Sequence, residues 1–192
     1  MMVEELDGRW SAIRELTART EEAVADNVDT PCAFGPRSLL VCALANAHAG
    51  DEAESRRLEE SADALGMQGY GAWIDAPRLR LALARGDFGT VEGLLREWTS
   101  GMGWGELSAL SARLDALTVL RDRGRVEAEA PPLLRENTYL EPFALRALGI
   151  VRDDEKLVEQ ALARFEAMGL GWHAGETRVL LAGGPSRARR SS

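Results

Sequence analysis

Between Leu39 and Gly66 the sequence passes from an apolar run, Leu39 to Ala49, through Gly50-Asp51 to a charged run that is apolar only at Ala53, Leu58, Ala62 and Leu65. A segment apolar on nearly every side predicts a helix enclosed by others. A stripe spaced by threes and fours predicts an amphipathic helix that covers it. A single hairpin of this kind cannot bury its own apolar surface, so it demands neighbours of the same build.

The rest of the chain supplies them. Trp73 to Arg85 repeats the first helix, and Gly86-Asp87 repeats the turn 36 residues after Gly50-Asp51. Phe88, Val91, Leu94, Leu95 and Trp98 then form an apolar face at helical period. A third unit starts at Glu106, sets Leu107, Leu110, Leu114, Leu117 and Leu120 on one face, and is expected to turn at Gly124. Its second helix, Val126 to Glu136, should break and restart at Pro131-Pro132, where two backbone donors are missing. A fourth unit, Leu140 to Met168, should turn near Arg152-Asp153 and pack through Leu157, Val158, Ala161, Leu162, Phe165 and Met168.

At the start, Leu6, Trp10, Ile13, Thr17, Thr20 and Val24 predict one amphipathic helix from Asp7 to about Asp26, with Asp7 as its N-cap and a loop over Asn27 to Pro36. At the end, Trp172 to Ala182 predicts a helix with no partner after it. Val179, Leu180 and Leu181 spread over about 200° of that helix, so at least one is left uncovered, as a homodimer contact or a junction to a further domain. Residues 1–184 are thus read as one helical-repeat domain, and the Ser/Arg-rich stretch 185–192 as a disordered tail.

The formal charge is -8, and the body is more acidic still once Arg187, Arg189 and Arg190 of the tail are set aside. Such a surface repels a phosphate backbone, so no nucleic-acid partner is expected. No run approaches the ~18 consecutive apolar residues of a membrane span, and the acidic start lacks the basic and apolar parts of a signal peptide. No membrane association and a cytoplasmic location are the expectation. Cys32 and Cys42 read as reduced and structural, with Cys42 in the core, and too few to build a zinc set. No metal and no cofactor are predicted.

Helix pairs about 36 residues apart resemble tetratricopeptide repeats, which recur every ~34 residues. The likeness is degenerate, since the Trp, Leu-Gly and Tyr positions of that family are not reproduced from copy to copy. More specifically, Tyr139 to Gly149 (Tyr-Leu-Glu-Pro-Phe-Ala-Leu-Arg-Ala-Leu-Gly), Ala163 to Ala174 and Thr177 to Ala182 resemble the C-terminal repeats of actinobacterial LuxR-type and adenylate-cyclase-type ATPase regulators. That resemblance implies an all-α fold, a right-handed solenoid of antiparallel helix pairs, and a regulatory role. It carries over neither ATP nor DNA chemistry, because no Gly-x-x-x-x-Gly-Lys-Ser/Thr loop is present and Lys156, the sole lysine, follows Asp-Asp-Glu.

In tetratricopeptide-like stacks the first helix of each pair lines the concave surface. Arg78, Arg80, Arg113 and Arg146 are therefore the candidate binding residues, since a planar guanidinium suits a carboxylate or an acidic motif. Trp104, set between glycines in Gly101 to Gly105, is a candidate exposed aromatic in an inter-hairpin turn. His48 and His173 read as surface or helix-end histidines. These features predict a non-enzymatic module that binds a protein partner, a detached arm of a signalling ATPase or transcriptional regulator; the alternative is a sensor arm with a small molecule in the concave groove.

Overall fold

A computed structural model describes residues 1–27, 29–30, 32–66, 71–98 and 106–183, and among them every regular element is a helix and no strand occurs. None of the helices is long and apolar enough to cross a membrane. The chain divides into two compact units, Met1–Arg113 and Leu114–Ser192. The Ser/Arg-rich tail and the stretch containing Trp104 lie outside the described residues.

In the first unit the expected single N-terminal helix is three: α1 (Met2–Asp7), α2 (Trp10–Glu15) and α3 (Thr17–Asp26). Asp7 therefore ends a helix instead of capping one. Gly8, at φ +69°, supplies the left-handed residue that closes α1, and the chain breaks again at Leu16. Then come α4 (Phe34–His48), α5 (Glu52–Ala64), α6 (Ala72–Arg85) and α7 (Phe88–Glu97). The apolar run behaves as its composition demands. Ten residues of α4 are buried, and α2, α3, α5 and α6 all pack on it. The covering stripe of α5 is Ser55, Leu58 and Ala62, while Ala53 is exposed.

The division into units falls inside α8 (Glu106–Val119). Leu107 is exposed there, and small residues such as Ala109, Ala112 and Ala116 are buried beside Leu114 and Leu117. The second unit continues with α9 (Arg123–Glu129), α10 (Glu141–Arg152), α11 (Glu155–Ala167) and α12 (Gly171–Ala182). After α9 the double proline breaks the helix as its chemistry requires, and what restarts is a single 3-10 turn, Pro131–Leu133. α10 packs between α9 and α11, and α12 packs on α11. His173 is fully buried in α12, its ring 4.8 Å from Phe143 and 5.5 Å from Phe165, so it is a core residue and not a surface one.

One turn recurs four times. Gly50 and Gly86 take φ of +79° and +69°, and the next residue, Asp51 or Asp87, accepts a hydrogen bond from the amide of Glu54 or Thr90 at 3.3 or 3.1 Å. Glycine takes that φ without the strain a Cβ adds, a strain that the non-glycine copies of the turn carry. The third copy is Arg121-Asp122, three residues before the expected Gly124, and the fourth is Asp153-Asp154. In each copy the aspartate amide also donates to the carbonyl five residues back, at 2.8–2.9 Å. Measured between these turns, the intervals are 36, 35 and 32 residues, more even than the sequence suggested. Each cap contributes about 1 kcal/mol.

Candidate functional site

Among the described residues three arginines are at least nine-tenths buried: Arg37, Arg80 and Arg146. A buried guanidinium needs a counter-charge and acceptors for its fork of donors. Arg37 on α4 has both. Its Nη2 donates to the two carboxylate oxygens of Glu5 at 3.0 and 2.8 Å, its Nε to the Trp73 carbonyl at 3.2 Å, and the Ser108 hydroxyl donates to Glu5 Oε1 at 2.6 Å. Arg146, within the second unit, donates to Asp115 Oδ1 at 2.6 Å and Thr177 Oγ1 at 3.1 Å, and its guanidinium lies 5.0 Å from the ring centre of Phe165.

Arg80 on α6 departs from this pattern. Its Nη2 donates to Ser111 Oγ at 2.7 Å, its Nε is buried with no hydrogen-bond partner, and no carboxylate pairs with it among the described residues. The unmatched charge is felt nearby. His48 is exposed as a residue, yet its ring packs 4.9 Å from that of Trp10. Loss of solvation and then the Arg80 charge push it down to about 4, so it is neutral at pH 7.

The other two candidates are less enclosed. Arg78 is paired with Asp63, and the Arg113 guanidinium lies 5.7 Å from the ring centre of Trp98. Sequence reasoning had singled out Arg80 and Arg146 by their place on first helices. It missed Arg37 and Glu5, for nothing in local spacing joins residues 32 positions apart.

The first unit also holds a cavity of about 500 Å³ between α3, the start of α4 and Leu65. The α3 side of it is one helical stripe: Leu16, Arg19, Thr20, Ala23, Val24 and Asn27. Of this stripe the apolar period of the sequence includes only Thr20 and Val24, as part of the face that begins at Leu6, so the groove itself has no signal there. Comparison with protein-family models, with curated proteins and with solved structures gives no match to this chain.

Proposed function

We propose that the chain is a non-enzymatic, tetratricopeptide-like module, a solenoid of antiparallel helix pairs that regulates by binding a protein partner through an acidic side chain. The observation that carries this reading is Arg80, a buried guanidinium given a hydroxyl by Ser111 but no carboxylate. Arg37 and Arg146 in equally buried settings each have one. A carboxylate from a partner, seated bidentately on Arg80, would complete the same arrangement. The even recurrence of one capped turn supports the repeat architecture, which resembles the arm of a signalling ATPase or transcriptional regulator.

The test separates binding from folding. Replacing Arg80 with methionine removes an uncompensated buried charge, so the isolated variant should be as stable as the wild type or more so, by up to about 2 kcal/mol. Capture of the partner from the native host at micromolar bait should be lost, and lysine at position 80 should restore it only in part. A variant that loses stability and keeps its partner overturns the reading.

A homodimer contact is proposed on α12, where Val179 and Leu180 are 69% and 46% exposed. Light scattering should give twice the chain mass for the wild type and the chain mass for Leu180→Glu; a monomeric wild type removes this part of the proposal.

A further inference from the structure

The helix α3 buries none of its residues fully, and its apolar stripe borders the cavity instead of entering the core. The space, about 500 Å³, is a groove open to solvent, and Ala23 and Phe34 on its two sides are exposed apolar groups that an occupant would cover. It also falls within the range of ~300–1,000 Å³ that holds small ligands. Across from Leu16, Ala23 and Val24 stand Phe34, Pro36 and Leu65, so the body of any occupant meets apolar groups on both sides.

Among the described lining residues Arg19 is the one charged side chain, and Thr20, Asn27, Thr30 and Ser38 are neutral polar groups. Thr20 donates its hydroxyl hydrogen to the Leu16 carbonyl at 2.9 Å, and the Asn27 amide donates to the Ala23 carbonyl at 2.7 Å, so both donors are turned back on their own helix. Arg19 is exposed and has no carboxylate partner among the described residues, whereas Arg14 and Arg57 nearby are paired with Asp51 and Glu21. Among the described residues no aspartate or glutamate lines the cavity, in a chain that carries 31 of them. A cationic ligand would meet Arg19 and be repelled, whereas a carboxylate would gain a charge-assisted hydrogen bond that a neutral ligand would not.

We infer that this cavity is a binding site for a small amphipathic carboxylate, with its apolar body between α3 and the start of α4 and its carboxylate on Arg19. The site is independent of the protein partner assigned to Arg80.

Cys32 reports on it directly. Its thiol is exposed and lines the cavity, while Cys42 is fully buried and burial raises its pKa, so a thiol reagent attacks Cys32 first. Submicellar decanoate should raise the melting temperature and slow alkylation of Cys32 by iodoacetamide at least about fivefold, since occupancy both stabilises the native state and shields the thiol. Decylamine should do neither. Arg19→Gln, on an exposed position that leaves the core untouched, should weaken decanoate about tenfold and decanol less than about twofold. Ala23→Phe, which fills the space, should weaken decanoate and decanol alike. Equal binding of decanoate and decylamine, an Arg19→Gln variant with wild-type decanoate affinity, or full-rate alkylation of Cys32 under saturating decanoate would each overturn the assignment.

Discussion

Replacing Glu5 with glutamine should lower the unfolding free energy by about 3–5 kcal/mol, although the two side chains have nearly the same shape. Glu5 is 1% exposed and Arg37 4%, so the variant leaves a guanidinium out of water with no counter-charge. The carboxylate takes bonds from Arg37 and from the Ser108 hydroxyl, and glutamine can accept only part of that set. Urea unfolding followed by tryptophan fluorescence measures the loss, and an unchanged slope with denaturant shows that stability alone moved. The double variant Glu5→Leu/Arg37→Met should lose far less than Glu5→Gln, because removing both charges also removes the desolvation they impose. A cost below about 1 kcal/mol for Glu5→Gln would mean that water reaches the pair.

What could be read from the sequence is what local chemistry encodes. The turns at Gly50 and Gly86 were legible because glycine is the residue that takes positive φ freely and the aspartate after it is a helix-capping type. At the third turn the left-handed position is held by Arg121, at φ 51°, which no residue-type rule marks, and Gly124 drew the reading three residues too far. The N-terminal break was missed for a related reason: the apolar period runs unbroken from Leu6 to Val24, while Gly8 interrupts the backbone that would carry it. Of the candidate residues, the placement of Arg80 and Arg146 on helices was legible from the apolar period. Their difference was not, because it depends on whether the Asp115 carboxylate or only the Ser111 hydroxyl stands opposite, and that is decided by which helices meet.

The second large effect lies in the other unit, where Gly149→Ala should destabilise the chain by about 1–3 kcal/mol through overpacking. Alanine is the better helix former by ~1 kcal/mol, so propensity alone predicts the opposite sign. Space decides the outcome. A Cβ on Gly149 would stand 2.7 Å from Val158 Cγ2, 2.9 Å from the Val158 amide nitrogen and 3.0 Å from the Asp154 carbonyl oxygen. The valine methyl can rotate away, but the two backbone atoms belong to the turn and first residues of α11, and they retreat only if α11 moves off α10. In the other three turns the residue five before the capping aspartate is Asn46, Ala82 or Leu117, so those helix pairs already accommodate a side chain where α10 and α11 do not. Gly93, inside α7 with nothing within 4 Å of its would-be Cβ, is the matched control. Gly93→Ala should stabilise by about 0.5–1 kcal/mol. Chemical unfolding of the two variants side by side should therefore move the midpoint in opposite directions. Val158→Ala should recover only part of the Gly149→Ala loss, because it clears the methyl and leaves both backbone contacts in place. Two midpoints shifted upward together would show that α11 leaves room for a Cβ at Gly149.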